Sequence, residues 1–171
     1  TVLCAAILGD KINLTIIQEV LGLEFEKFKD IINYLVETDY IMPLSDIYYE
    51  FKSMTLWDAV LEKAKLDENF VKMNEKIFEY LSKFTLNSIA VLGVIAQNLK
   101  QPEVALAIWT KNTRLTSYTG DTSLYAISQK QCLALINELD DEETLKIRYN
   151  ISERLGKLLT TTNPQDAMEF L

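Results

Sequence analysis

The side chains that could do chemistry in this chain are limited, because the sequence contains no histidine. Histidine is the commonest general base and a common metal ligand near neutral pH. The acidic run Asp140-Asp141-Glu142-Glu143 could suggest a metal site, but carboxylates are also favoured at the cap and in the first turn of a helix, and we interpret the run in that way. The isolated glycines form no phosphate-binding loop, and no Ser or Cys nucleophile has a histidine to activate it. The sequence therefore predicts no catalytic residue, no metal site and no cofactor in this chain.

A second candidate is the basic and aromatic segment IWTKNTRLTSY, residues 108–118. Helical spacing turns Trp109 inward and places Lys111 and Arg114 on an outer face. One interpretation is a core residue beside an ordinary solvated face. The other is a partner-binding face on a helical solenoid, for which Lys111, Arg114 and Tyr118 are the candidate residues.

Composition narrows the class of protein. The chain has 171 residues, of which 49% are hydrophobic, and this is enough for a folded core. Its net charge of −8 argues against a broad nucleic-acid surface, because such binding depends on neutralising phosphate with Lys and Arg. The longest uncharged apolar window, residues 89–96, is far shorter than the roughly 20 residues that a membrane span needs. Cys4 and Cys132 lie among apolar neighbours, which favours buried free thiols in a reducing compartment, so we expect a soluble, cytoplasmic protein.

The chain starts inside an apolar run, residues 2–8, with no basic region before it. A signal peptide would begin with such a basic region. We therefore expect the chain to be a fragment of a longer protein.

The first part of the chain predicts three helices and a hairpin. Apolar residues at helical spacing predict helices over residues 2–8, 14–21 and 25–38, with Asn13 as the cap of the second. Residues 40–51 alternate instead, with a turn at Ser45-Asp46, and Pro43 restricts the outgoing strand to a sheet edge. The predicted inward side of the hairpin carries Tyr40, Met42, Leu44, Ile47, Tyr49 and Phe51. Three helices followed by one β-hairpin predict an N-terminal winged helix over residues 1–65.

From Thr55 onward the pattern is helical. An apolar stripe with a break near Leu66-Asp67 predicts a linker helix. Pairs of helices with short joints follow, as in an α-solenoid. Their predicted bounds are residues 88–99, 101–115, 122–139, 140–159 and a last helix from 163, cut off at 171.

A weak repeat runs through these helices. Leu92-Gly93 is followed by Ala105 and Trp109, and Leu155-Gly156 is followed by Ala167. The two copies are separated by close to two repeats of roughly 34 residues each. Small residues would let paired helices approach closely, and the aromatic ring would fill the groove beside them. This pattern favours tetratricopeptide-like helical hairpins over residues 66–171, truncated at the C-terminus. A generic helical bundle, which also places small residues at its crossings, is the alternative.

Three segments resemble one family: AAILGDKINLTIIQEVLGL, the helix end INYLVETDYIMPL, and YYEFKSMTLWDAVLEKA. Their order resembles the region that follows the ATPase core in signal-transducing NTPases with numerous domains, found in multidomain bacterial regulators and relatives of soluble adenylyl cyclase. The resemblance covers essentially all 171 residues. It implies a winged helix and tetratricopeptide-like repeats. It also implies two partners: an upstream NTPase domain of the same chain, and an unknown protein or ligand on the repeats.

Members of that family often carry Phe-Arg-His after the second strand of the hairpin. This chain has Phe51-Lys52-Ser53 at that place. The resemblance therefore puts Ser53 at a candidate nucleotide-sensor position that lacks the histidine.

Three functions are compatible with these patterns. The preferred one is a non-catalytic regulatory and interaction module of a larger signalling ATPase or transcriptional regulator, which relays binding of a partner or ligand to an upstream NTPase domain. One alternative is a winged-helix transcription factor with a helical effector or dimerisation domain, and another is a stand-alone tetratricopeptide scaffold. Charge argues against DNA recognition, because the helix over 25–38 has no arginine to bind guanine and is mainly acidic. Together with Glu24 just before it, this helix carries four acidic residues and two basic ones: Glu24, Glu26, Asp30 and Glu37, and Lys27 and Lys29.

Overall fold

The computed structural model describes residues 1–83, 89–139, 149–157 and 160. These residues are mostly helical and include a small three-stranded antiparallel sheet, so the prediction of a mainly helical fold is confirmed at that level. The chain divides into two compact units, residues 1–83 and 84–171. Within the described residues, no helix combines the length and the apolar character that crossing a membrane requires.

The first unit consists of five short helices and three short strands. Its elements are α1 (Val2–Leu8), β1 (Lys11–Asn13), α2 (Leu14–Leu21), α3 (Phe25–Glu37), β2 (Ile41–Pro43), β3 (Tyr48–Phe51), α4 (Met54–Lys65) and α5 (Phe70–Leu81). The predicted helices over 2–8, 14–21 and 25–38 are confirmed to within one residue. The predicted break near residues 66 and 67 is also present, between α4 and α5.

Local signals explain where α2 begins and ends. Asn13 caps the helix, because its side-chain oxygen Oδ1 accepts hydrogen bonds from the backbone N–H groups of Thr15 at 2.9 Å and Ile16 at 3.3 Å. Gly22 ends it with φ of 62°, in the left-handed region that glycine adopts most readily. The sequence prediction of both boundaries is therefore confirmed.

The sheet contains one strand more than the sequence predicted. Its order is β1-β3-β2, and β3 pairs antiparallel with both neighbours, so that Ile12 lies opposite Tyr49 and Met42 lies opposite Glu50. Only three residues form β1, too few for a recognisable alternation. The predicted edge position of Pro43 is confirmed, since β2 lies at one side of the sheet.

The predicted inward side of the hairpin is wrong for the outgoing strand. Ile41 is buried opposite Phe51, whereas Tyr40 and Leu44 are exposed. The reason is the shortness of β2. Tyr40 still belongs to the turn after α3, where its N–H donates to the Leu35 carbonyl, and Leu44 already lies in the hairpin loop. Ile47, in the same loop, is exposed as well, while the inward position predicted for Phe51 is confirmed.

The core of the first unit gathers apolar side chains from every one of its helices. In α1 nearly all side chains are buried, and the indole Nε1 of Trp57 in α4 donates a hydrogen bond to the Ala6 carbonyl at 3.0 Å. Helix α5 contacts α1 and α2. The predicted domain boundary after residue 65 lies ahead of α5, whereas the compact unit includes this helix because its buried stripe, Phe70, Ile77 and Leu81, faces the same core.

The second unit is helical. Its elements are α6 (Ile89–Asn98), α7 (Pro102–Thr119), α8 (Thr122–Leu139) and the helical residues 149–157, and α7 contacts both α6 and α8. Helix α7 runs past the predicted end near Leu115, because the stop signal Gly120 comes later. Residues 84–88, 140–148, 158–159 and 161–171 lie outside the described residues, and with them the predicted caps Asn87 and Ser88, the run Asp140–Glu143 and the last predicted helix with Ala167.

Candidate functional site

The position of α7 is fixed by a close contact with α6. Trp109 is 2% exposed, and its indole ring lies so near Gly93 that a Cβ built on the glycine would come 2.5 Å from Cε2. The indole Nε1 also donates to Gln97 Oε1 at 3.4 Å. The predicted inward direction of Trp109 and the close approach at Gly93 are therefore confirmed.

Helix α7 also meets α8, through buried polar side chains. Asn112 Nδ2 donates to Ser128 Oγ at 2.8 Å, and this hydroxyl in turn donates to the Leu124 carbonyl at 2.7 Å. Thr116 donates to the Asn112 carbonyl at 3.0 Å. The sequence analysis missed these residues, although Asn112 and Thr116 follow Trp109 at the spacing of one helix face.

The three residues predicted to bind a partner share the exposed face of α7. Lys111, Arg114 and Tyr118 are all exposed, and Tyr118 reaches 89%. Their spacing of three and four residues explains why one face carries all of them. Only Arg114 of the three borders the cavity described next.

That cavity lies in the second unit and is lined by α7, α8 and the helical residues 149–157. It has a volume of about 270 Å³. Thr113 and Arg114 line it from α7, Cys132 from α8, and Asn150 and Arg154 from the third segment. The structure thus brings together residues that are distant in sequence, and Arg154 joins Arg114 without having been singled out by any sequence pattern.

The cavity lining is positively charged. It includes two arginines, Arg114 and Arg154, and no Asp or Glu. In the described part of the chain, neither Arg114 nor Arg154 forms an ion pair. Glu153 precedes Arg154 but pairs with Lys157, whose Nζ lies 2.6 Å from Oε1. The pKa of Glu153 lies below its usual value. The hydrogen bond to Lys157 is the largest cause of this shift, and the charge of Arg154 is the smallest.

Two hydroxyl groups and a thiol occupy the cavity wall. Burial raises the pKa of Cys132, so the thiol is protonated at neutral pH, and the Thr110 hydroxyl, 3.8 Å from Sγ, offsets part of that shift. The Thr113 hydroxyl also lowers the pKa of Cys132, but its geometry relative to Sγ is not that of a hydrogen bond. Thr113 Oγ1 is therefore buried without a hydrogen-bond partner in the structure.

Ser53, the candidate nucleotide-sensor position, lies in the first unit and has a local structural role. Its Oγ accepts a hydrogen bond from the backbone N–H of Leu56 at 3.1 Å and so caps α4. The neighbouring Lys52 pairs with Asp39 at 3.0 Å. Ser53 is exposed and is remote in sequence from the cavity of the second unit.

Among the described residues, no group of His, Cys, Asp and Glu side chains is arranged to hold a metal ion. Comparison of the chain with protein-family models, with curated proteins and with solved structures finds no match. Its function must therefore be inferred from its own residues and their geometry.

Proposed function

We propose that this chain is a non-catalytic regulatory and interaction module of a larger cytoplasmic signalling protein. In this role it relays the binding of a partner or ligand to an upstream NTPase domain. The first unit acts as a winged helix that docks within the same protein, and the second unit acts as a set of tetratricopeptide-like helical hairpins. The observation that carries the proposal is the character of the hairpin loop.

The hairpin loop presents apolar side chains to solvent. Leu44 is 50% and Ile47 is 47% exposed, and the neighbouring Tyr48 is exposed too. The charged residues beside them are acidic, Asp46 in the loop and Glu50 in β3. Clustered exposed apolar residues mark protein interaction sites. An apolar and acidic loop is suited to docking on protein and unsuited to phosphate.

The order of elements supports the winged-helix part of the proposal. Helices α1, α2 and α3 precede the hairpin β2–β3, which is the order of a winged helix. The same order is the specific observation in favour of the DNA-binding alternative. Charge opposes that alternative, because the exposed face of α3 carries Glu26, Asp30 and Glu37, and its Lys27 pairs with Glu24 at 3.1 Å.

The contact between Gly93 and Trp109 supports the second part of the proposal. A small residue on one helix and an aromatic residue on its partner let α6 and α7 pack closely, as paired helices of a solenoid do. The same contact is compatible with a stand-alone scaffold. The two functions differ in whether the first unit acts on an NTPase domain.

The test uses the longer protein and exchanges apolar loop residues for polar ones. The double variant Leu44→Ser/Ile47→Ser removes the exposed apolar groups without touching the core. Leu66→Ser is the matched control, because Leu66 is 88% exposed between α4 and α5 and far from the loop in sequence. We expect the double variant to change the nucleotide hydrolysis rate severalfold and the control to leave it unchanged.

Two results would overturn the proposal. One is a longer gene product without an NTPase domain, which would favour the scaffold. The other is a double variant that hydrolyses nucleotide like the control. A gel shift with duplex DNA at low salt, where electrostatic affinity is greatest, tests the DNA-binding alternative, and binding there would favour it.

A further inference from the structure

We propose that the cavity lined by α7, α8 and residues 149–157 binds a small molecule that carries an oxyanion, either a phosphate or a carboxylate. This site goes beyond the proposed function, because it belongs to the second unit alone and does not depend on how the first unit docks. The proposal rests on charge, on an unpaired hydroxyl and on size.

The first argument is the charge of the lining. Arg114 and Arg154 come from different helices and approach the same cavity, while the chain as a whole has a net charge of −8. Like charges that share a cavity repel each other, and no carboxylate of the described lining compensates them. An oxyanion would neutralise both guanidinium groups, whose planar donor geometry matches carboxylate and phosphate oxygens.

The second argument is the hydroxyl of Thr113. Its Oγ1 is buried and has no hydrogen-bond partner in the structure, although most buried polar atoms have one. Thr113 lines the same cavity as the two arginines. A ligand oxygen in the cavity would supply the acceptor that this hydroxyl lacks in the structure.

The third argument is size. A volume of about 270 Å³ lies just below the range of roughly 300–1,000 Å³ typical of small-molecule pockets. Ile151 and the protonated thiol of Cys132 add apolar wall beside the charged groups. The cavity therefore fits a small organic anion with a short carbon skeleton.

The test measures binding to the whole chain by calorimetry at constant ionic strength. The probes are inorganic phosphate, glycerol 3-phosphate and succinate, so that phosphate and carboxylate are compared directly. We expect saturable binding of at least one probe, with an affinity about tenfold or more lower in Arg114→Gln and in Arg154→Gln, because each loses charge-assisted hydrogen bonds.

Lys111→Gln is the matched control. Lys111 is exposed on the same helix but does not line the cavity, so this variant loses the same charge and is expected to bind with unchanged affinity. If an arginine variant fails to fold, Arg154→Lys replaces it. This variant keeps the positive charge but loses the planar guanidinium group, and it should still bind the probe more weakly than the wild type does. The proposal is overturned if no probe binds saturably, or if the control variant weakens binding as much as the arginine variants.

Discussion

The indole ring of Trp109 occupies the space that a side chain on Gly93 would need. Three ring atoms, Cε2, Nε1 and Cζ2, lie between 2.5 and 2.9 Å from a Cβ built on the glycine. The ring cannot move aside easily, because it is buried and donates to Gln97. We expect Gly93→Ala to lower the free energy of unfolding by about 1–3 kcal/mol through overpacking, measured by urea denaturation. The higher helix propensity of alanine, roughly 0.5–1 kcal/mol, offsets only part of this loss.

A double-mutant cycle provides the control for that prediction. Trp109→Leu has none of the three ring atoms that the new Cβ would meet. Adding Gly93→Ala to this variant should therefore cost little or be favourable. Equal losses in both backgrounds would mean that the ring contact is not what keeps residue 93 small.

Capping of α4 by Ser53 gives a second prediction. Ser53→Ala removes the acceptor of the Leu56 N–H and should lower the free energy of unfolding by about 1 kcal/mol, whereas Ser53→Asp keeps a good cap. Ser53→His places a residue that is not a preferred helix cap at this position and should behave like the alanine variant. Thermal and urea unfolding measure these differences. Thr55→Ala, at a neighbouring exposed position, is the control, and a loss equal to that of Ser53→Ala would contradict the capping role.

The buried pair of Asn112 and Ser128 gives a third prediction. Ser128→Ala leaves the Asn112 Nδ2 group without its 2.8 Å acceptor, and we expect a loss of about 1–3 kcal/mol in urea unfolding because the donor stays buried and unpaired. Asn112→Leu in the Ser128→Ala background removes the unpaired group. The double variant should be more stable than the sum of the two single losses predicts, and simple additivity would argue against the hydrogen bond as the cause.

The thiol of Cys4 gives a prediction about pH. Burial raises its pKa to about 12, while a thiol in the unfolded chain titrates near 8.5. The folded state therefore favours the protonated thiol, and this stabilisation is complete below about pH 8.5 and is lost as the pH rises towards 12. Between pH 7 and pH 10 the free energy of unfolding should fall by about 1–2 kcal/mol more in the wild type than in Cys4→Ala. Parallel curves for the two proteins would show that Cys4 does not contribute.

Local signals made much of the fold predictable. Asn13 and Gly22 mark the ends of α2 through interactions within a few residues, so the sequence pattern suffices there. The failures concern pairing over long sequence distances. The strand β1 exists because Ile12 meets Tyr49, and the inward position of Ile41 depends on its pairing with Phe51. Neither relationship leaves a periodic pattern in three residues.

The candidate site follows the same division. Helical spacing alone predicted that Trp109 faces inward and that one exposed face carries Lys111, Arg114 and Tyr118, and the burial of these residues agrees. The cavity was not predictable, because it needs Arg154 from a distant segment beside Arg114. In the sequence, an arginine that lines a cavity looks the same as any arginine on an exposed helix face. Only its neighbours in space distinguish the two.

The central position of β3 determines how the chain can be shortened. Residues Lys11–Asn13 supply both one side of the sheet and the cap of α2. A fragment that begins after residue 13 would lose both at once and would leave the N–H and C=O groups along one side of β3 without partners. Such an unprotected strand edge is a template for pairing with another chain. Shortened versions of the first unit are therefore expected to self-associate through β3.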